Sequence, residues 1–209
     1  MHMQHKKVKA LLFDLGGVIV DLDYKKTASA FEKIGLKNAE KAYSQFNQTD
    51  LFNLFETGHI SGEEFLAEVR KKITTQVSSS EITKAWNSMI LGFQHAKLKE
   101  IIKLSEKVPC YLLSNTNEIH LSYIEQLLQE MGFKHFLNVF KSCYFSHQIG
   151  KRKPHKETFE WVLHQMNYDA QDVLFIEDSP QHIKGAKSAK LNTFYFKKDS
   201  NLSDVDQWI

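Results

Sequence analysis

Cysteine is scarce in this sequence, and the spacings that would indicate a zinc site are absent. The 209 residues include two cysteines, Cys110 and Cys143, and both stand in apolar segments typical of buried strands. There is no CxxC pair and no His–Cys spacing of the zinc type, so a structural zinc site is not indicated. Two buried thiols without a framework of disulfides fit a reducing compartment.

Long apolar runs and blocks of like charge are also absent. No stretch approaches the roughly 18 apolar residues that a membrane span needs. The short apolar run after the basic start contains Asp14, which a signal peptide would not tolerate. The 27 basic and 25 acidic residues are scattered and leave a formal charge of +2. We therefore expect a cytoplasmic protein that binds neither a membrane nor nucleic acid.

What the sequence does contain is an alternation of strand and helix signals. Short runs rich in branched and aromatic residues predict five strands, at residues 8–13, 110–113, 143–145, 173–176 and 193–196. Amphipathic stretches with helical spacing lie between the later strands. This alternation predicts a parallel sheet with helices on both faces.

The alternation is interrupted between the first and second strands. Roughly residues 22–93 have helical periodicity and no convincing strand, with one helix expected near Ser61 and another, capped by Ser80 and its neighbours, carrying Trp86, Met89 and Phe93 on one face. The prediction is an α/β protein with a three-layer, Rossmann-like parallel-sheet core (residues 1–20 and 94–209) and an inserted all-helical cap (residues 21–93).

Polar residues that could carry chemistry follow the predicted strands. Asp14 follows the first strand and precedes Gly16 and Gly17, where backbone amides can approach a phosphate. The remaining candidates are Ser114 and Asn115 after the second strand, Lys153 before a helix, and Glu177 and Asp178 after the fourth strand. Parallel strands place such residues at one sheet edge, where α/β proteins bind ligands, and paired carboxylates suit magnesium. Taken singly, each motif is also explained by a turn, a helix cap or a solvated basic run.

Together, in this order, the motifs resemble those of the haloacid dehalogenase superfamily, and the resemblance spans essentially the whole chain. The chain also resembles the phosphatase domain of soluble epoxide hydrolases. Three segments of the core are similar to the branch of α-D-glucose-1-phosphate phosphatase. They are residues 14–21 (DLGGVIVD), 113–117 (LSNTN) and 152–154 (RKP), with GHIS at residues 58–61 in the cap.

The resemblance implies a role for each candidate residue. Asp14 would attack phosphorus to form an aspartyl-phosphate, and Lys153 would neutralise charge around it. Ser114 and Asn115, with the loop of Gly16 and Gly17, would bind the substrate's phosphoryl group. The magnesium ligands would be Asp14, Glu177, Asp178 and the carbonyl oxygen of Gly16.

Gly16 departs from the pattern of most phosphatases in the superfamily, which have a second aspartate there as general acid and base. Hydrolysis of a small phosphorylated metabolite, such as a sugar phosphate, by a monomer or homodimer is the expected function. Two alternatives remain open: a 2-haloacid dehalogenase, which needs no magnesium, and a non-catalytic protein that binds a phosphorylated ligand. His59 is expected to be an exposed turn residue, and the ten histidines show no ligand spacing.

Overall fold

The computed structural model describes residues 7–36, 39 and 50–209. The basic start of the chain and the part of the predicted cap at residues 37–38 and 40–49 lie outside the described residues. The strands are β1 (Ala10–Phe13), β2 (Val20–Leu22), β3 (Ile90–Phe93), β4 (Cys110–Ser114), β5 (Cys143–Phe145), β6 (Val173–Glu177) and β7 (Asn192–Tyr195).

Helices fill most of the remaining described chain. They are α1 (Tyr24–Lys33), α2 (Asp50–Glu56), α3 (Gly62–Lys72), α4 (Ser79–Asn87), α5 (His95–Lys107), α6 (Glu118–Glu130), α7 (Ser146–Ile149), α8 (Lys156–Met166) and α9 (Pro180–Ser188), with short 3-10 turns at Phe136–Val139, Ala170–Asp172 and Leu202–Trp208. Among the described residues, none of these helices combines the length and the apolar character needed to cross a membrane.

Five strands form one parallel sheet in the order β5-β4-β1-β6-β7. Its central strand, β1, is buried along its whole length, and its side chains alternate between two apolar layers. Leu11 and Phe13 belong to one layer, whereas Ala10 and Leu12 belong to the other, which includes Phe159 of α8. Both faces of the sheet are therefore covered, and the predicted α/β fold class is confirmed, with all five predicted strands present.

The cap packs around a cluster of aromatic rings. Phe52, Phe65 and Trp86 are buried and have ring centroids 5.1–5.6 Å apart. Helix α3 begins after Ser61, whose side chain forms a reciprocal capping box with Glu64. The predicted helix start near Ser61 is confirmed. Aromatic packing and capped helix ends thus hold the described cap together.

Helix α4 differs from its prediction at both ends. It begins after Ser78, which forms a capping box with Glu81, rather than after Ser80. It ends at Asn87, so Phe93 does not share its apolar face. The apolar residues from 82 to 93 are spaced three or four apart, which suits a helix, but this periodicity carries no information about a partner strand.

That partner strand is the main correction to the predicted cap. The expectation of no strand between residues 24 and 93 is wrong, because β3 pairs antiparallel with β2, aligning Val20 with Phe93 and Leu22 with Ile90. The two strands stand at the start and end of the insertion, where the chain must leave the core and return to it at neighbouring points. Gly92, at φ +116°, sits within this ribbon in a conformation that favours glycine.

Two smaller expectations also need correction. Cys110 is buried, but Cys143 is only partly buried. Pro154, a residue type that suits the first turn of a helix, does not lie in one, since α8 begins at Lys156 after His155. Pro154 packs instead against α9, where a Cβ on Gly185 would be 2.1 Å from the Pro154 carbonyl oxygen.

Candidate active site

Three neighbouring strands bring acidic and hydroxyl side chains to one edge of the sheet. Strands β4, β1 and β6 are adjacent and end at Ser114, just before Asp14, and at Glu177, respectively. All three side chains are buried, with Glu177 0% and Asp14 6% exposed. The predicted residues therefore meet at the carboxyl edge because parallel strands end on the same side.

Lys153 reaches this edge from the loop before α8 and is completely buried. Its Nζ lies 2.7 Å from Asp14 Oδ1 and 2.7 Å from Glu177 Oε2. Burial alone would lower the pKa of Lys153, but the two carboxylates outweigh it and raise that pKa. Lys153 is thus a permanent cation held between two acids.

Glu177 is engaged on both of its oxygens. Oε2 accepts from Lys153 and lies 2.9 Å from His182 Nδ1, while Oε1 accepts from the backbone amides of Asp178 and Ser179. Burial would raise the pKa of Glu177, but the charge of Lys153 and the His182 contact lower it. With its acceptor sites filled by these partners, Glu177 is suited to positioning Lys153.

His182 was not singled out by its sequence. It stands in α9, five residues after Glu177, and burial followed by the charge of Lys153 lowers its pKa, so that it is neutral near pH 7. A histidine in the first helical turn after an acidic strand end is the signal that could have identified His182. The helix starts at the same edge of the sheet and keeps the histidine side chain there.

Asp178 lines the site, and its carboxylate lies beside the loop after β1. A Cβ on Gly17, whose φ is +76°, would be 2.0 Å from Asp178 Oδ2, so only glycine fits there. Burial, with the hydrogen bond and charge of Glu177, raises the pKa of Asp178 to about 7. Burial and the charge of Glu177 likewise raise the pKa of Asp14, against the opposing effect of Lys153.

The loop of Gly16 and Gly17 offers fewer backbone amides to a phosphate than its sequence indicates. The Gly17 amide donates to the Val20 carbonyl oxygen at 2.8 Å, so this amide is committed to the turn and is not directed to a phosphate. Gly16 lines the cavity beside Asp14. The loop thus brings Gly16 to the ligand side and gives Gly17 a steric role next to Asp178.

Asn115 organises the lysine loop. Its side-chain amide donates to the Lys153 carbonyl oxygen, and its side-chain oxygen accepts from the Lys153 amide, both at 2.9 Å. The Asn115 side chain therefore fixes the backbone of Lys153. Ser114, at the end of β4, lines the cavity with Asp14 and Lys153.

A cavity of about 70 Å3 lies between this edge and the cap. On the cap side it is lined by Tyr24 at the start of α1 and by Glu56 at the end of α2. Burial and the carboxylates of Asp178 and Asp14 raise the pKa of Tyr24 well above its usual value, so its hydroxyl keeps its proton. The sequence signals at strand ends could not identify either residue, because both belong to the cap.

A second group of contacts holds the cap on the core. The Trp86 indole donates to Asn117 Oδ1 at 3.3 Å, and the Trp86 carbonyl oxygen lies 3.2 Å from His120 Nε2. The His120 and Trp86 rings stack with centroids 4.6 Å apart. Burial lowers the pKa of His120 to about 4, so the imidazole is neutral and donates from Nε2. Asn117, which is also the N-cap of α6, ties this contact to the loop after β4.

The donor set at the edge fits a divalent cation. Asp14, Glu177 and Asp178 together carry three negative charges when ionised, and Lys153 supplies one positive charge. The excess is the kind that Mg2+ neutralises. Burial first, and then the neighbouring Glu177, raise the pKa values of Asp14 and Asp178. The oxygens of Asp14, Glu177 and a His182 nitrogen also lie within 4.8 Å of one another. However, Lys153 already occupies the Asp14–Glu177 gap, so Asp14 and Asp178 are the better pair for a metal.

This fold and site define a hydrolase class. The family model for haloacid dehalogenase-like hydrolases matches residues 8–190, and the chain belongs to that family. The predictions of the family and of a hydrolytic enzyme are confirmed.

Several known proteins are similar to the chain over most of its length. The D-ribitol-5-phosphate phosphatase of Bacteroides thetaiotaomicron is 30% identical over 187 residues, which are 90% of this chain and 91% of that relative. A crystal structure of a haloacid dehalogenase family enzyme from the same organism, in complex with magnesium and inorganic phosphate, has 31% identity and a TM-score of 0.89, covering 95% of this chain and 98% of that one. A predicted hydrolase of the family from Porphyromonas gingivalis has 25% identity and a TM-score of 0.86, with 96% and 97% covered.

Proposed function

We propose that this protein is a magnesium-dependent phosphatase that hydrolyses a small phosphorylated metabolite through a phosphorylated Asp14. The observation that carries the proposal is the buried Asp14 carboxylate, held by Lys153 at 2.7 Å and facing a cavity at the sheet edge with Asp178 beside it. The phosphatase named among the relatives, and the magnesium and phosphate of the similar crystal structure, support it.

The chain's own residues can be assigned to the steps of hydrolysis. Lys153 and the Leu15 amide, at 2.7 Å each, contact Asp14 Oδ1, which leaves Oδ2 to attack phosphorus. The bond from phosphorus to the leaving-group oxygen breaks as the acyl phosphate forms, and water then hydrolyses the acyl phosphate, which releases phosphate and restores Asp14. Ser114 binds a phosphoryl oxygen through its hydroxyl, and Lys153 stabilises the charge of the transferring group. Asn115 acts through the Lys153 backbone that it holds.

Magnesium would be held by Asp14, Asp178 and the Gly16 carbonyl oxygen, with Glu177 positioning Lys153. When bound, the metal ion supplies charge neutralisation for the phosphoryl group and favours the ionised form of both aspartates. The proton for the leaving group must come from a donor other than residue 16. The Tyr24 hydroxyl, which lines the cavity and keeps its proton, is one candidate donor.

The experiment is a phosphate-release screen over sugar and polyol phosphates, including D-ribitol 5-phosphate, with an aryl phosphate as a substrate that needs little protonation of its leaving group. We expect turnover with Mg2+, loss with EDTA and recovery when Mg2+ is restored. Full activity after EDTA, with halide release from a 2-haloacid, would favour the dehalogenase alternative. Phosphate binding without any turnover would favour the non-catalytic alternative.

The cytoplasmic location, the lack of a nucleic-acid partner and the monomeric or homodimeric state stay predictions. Size-exclusion chromatography with light scattering would test the oligomeric state.

A further inference from the structure

His182 shares an oxygen of Glu177 with the buried lysine of the site. Lys153 Nζ donates to Glu177 Oε2 at 2.7 Å, and His182 Nδ1 lies 2.9 Å from the same oxygen. The lowered pKa of Glu177 keeps its carboxylate ionised, so the carboxylate can only accept and Nδ1 must carry the hydrogen. His182 thereby acts on the partner of Lys153 and not on Lys153 itself.

This hydrogen bond completes the set of partners around the carboxylate. An ionised carboxylate has about four acceptor sites. Two backbone amides contact Oε1, while Lys153 and His182 contact Oε2. Glu177 is completely buried, and an empty acceptor site at this depth is costly. Without the His182 donor, the oxygen that holds Lys153 would therefore shift towards another donor.

A shift of Glu177 would reach the nucleophile through Lys153. The Lys153 Nζ lies 2.7 Å from both Asp14 Oδ1 and Glu177 Oε2, so movement of one carboxylate changes where the ammonium group lies relative to the other. The ammonium charge must lie close to the transferring phosphoryl group to stabilise it. A displacement of about 1 Å at such a group is enough to slow an enzyme severely.

We propose that His182 is a positioning residue for phosphoryl transfer: its Nδ1–H group fixes Glu177 and thereby holds Lys153 where it stabilises the transferring group. This inference rests on the proposed phosphatase function and adds to it a residue of α9 that the strand ends do not supply. Because the imidazole is neutral, it orients Glu177 without adding a second cation that would compete with Lys153 for the carboxylates.

The test compares two variants of nearly equal shape that differ in the donor. Asn has its side-chain nitrogen the same number of bonds from the backbone as Nδ1, so His182→Asn keeps a donor for Glu177, whereas His182→Leu removes it. With an aryl phosphate and saturating Mg2+, His182→Leu should lower kcat at least about tenfold with little change in KM, and His182→Asn should stay within about threefold of the parent. The matched control is His164→Leu, an exposed histidine of α8, which should leave kcat unchanged.

A second readout does not depend on activity. In crystal structures, Lys153 Nζ should contact both Asp14 and Glu177 in the parent and in His182→Asn, and should lose one of these contacts in His182→Leu. The Mg2+ concentration that gives half-maximal activity should be the same for all three proteins. A higher Mg2+ requirement as the main effect of His182→Leu would show that His182 acts through the metal, which overturns the inference.

The remaining outcomes are equally decisive. A folded His182→Leu variant with kcat within about threefold of the parent overturns the inference, and so does a His182→Asn variant that is as slow as His182→Leu. If His182→Leu does not fold, His182→Phe, which keeps a ring without a donor, takes its place. Each of these failures leaves the parent active on the aryl phosphate, so only the inference fails. If the parent hydrolyses no phosphate ester at all, the proposed function fails and the inference with it.

Discussion

The two walls of the catalytic cavity are built in different ways. The core wall includes Asp14, Ser114 and Asp178, each at or directly after the end of a buried parallel strand. The cap wall includes Tyr24 and Glu56, which stand at the ends of helices α1 and α2 and not at the ends of sheet strands. The core wall is therefore positioned by backbone ladders, whereas the cap wall is positioned by side-chain contacts across the two parts.

This difference separates chemistry from recognition. Groups fixed by the sheet stay in place whatever the cap does, which suits a nucleophile and its cation. The cap depends on the Arg152–Glu56 ion pair and on the Trp86 contacts with Asn117 and His120. Changes in the core wall should thus remove turnover, and changes in the cap wall should alter selectivity or stability.

The largest effect is expected from Asp14→Asn. The amide is isosteric but cannot form the acyl phosphate, so phosphate release should fall by at least about three orders of magnitude. Circular dichroism and thermal melting should show a folded protein. Residual activity within tenfold of the parent would remove Asp14 from the mechanism.

The next effect concerns the metal. Asp178→Ala should weaken Mg2+ binding by about 10–100-fold and more than Glu177→Ala does, because Lys153, His182 and two amides already engage Glu177. Magnesium titration of activity and calorimetry would measure both affinities. Equal losses of affinity would place Glu177 among the direct ligands.

A smaller effect, on the stability of the protein, is expected when acid pH protonates His120, which contacts Trp86 of the cap. The folded-state pKa of His120, about 4, lies below its ordinary 6.5, so between these pH values the unfolded chain binds a proton that the folded chain does not. Stability from this residue is therefore lost as the pH falls from 6.5 towards 4, by roughly 2 kcal/mol.

Urea unfolding at pH 6.5 and 4.5 would measure this loss for the parent and for His120→Gln, which does not titrate. We expect the variant to lose less stability on acidification than the parent. The exposed His135→Gln serves as the matched control. If both variants lose as much stability between pH 6.5 and 4.5 as the parent does, protonation of His120 is not what destabilises the folded protein.

The smallest effect is expected from Gly16→Asp. A Cβ at residue 16 would be 2.6 Å from Leu22 Cδ1, so Leu22 must move within the cavity wall, and the new carboxylate adds negative charge beside Asp14 and Asp178. Hydrolysis of an alkyl phosphate should fall about tenfold, in the lower range of acid–base effects. An aryl phosphate is the control substrate. A rise in alkyl phosphate hydrolysis would instead show that Gly16 marks a lost proton donor.

Much of the core and its candidate residues could be predicted from the sequence. Strand signals are local, and a parallel sheet brings the residues after its strands to one edge, so Asp14, Ser114 and Glu177 needed no tertiary information to be grouped. The helix start at Ser61 was equally local, since a capping box involves residues three apart.

Tertiary structure decided the rest, because it depends on contacts between residues distant in sequence. Periodicity could not separate the strand of Ile90–Phe93 from a helix. Its partner strand is distant in sequence, since Val20 and Phe93 pair across 73 residues, and a local pattern cannot show such a pairing. The Gly17 amide is committed to Val20, and the Asn115 side chain to Lys153. Residue type alone shows which hydrogen bonds a group can make, but the folded chain determines which of them are already made and which remain for a substrate.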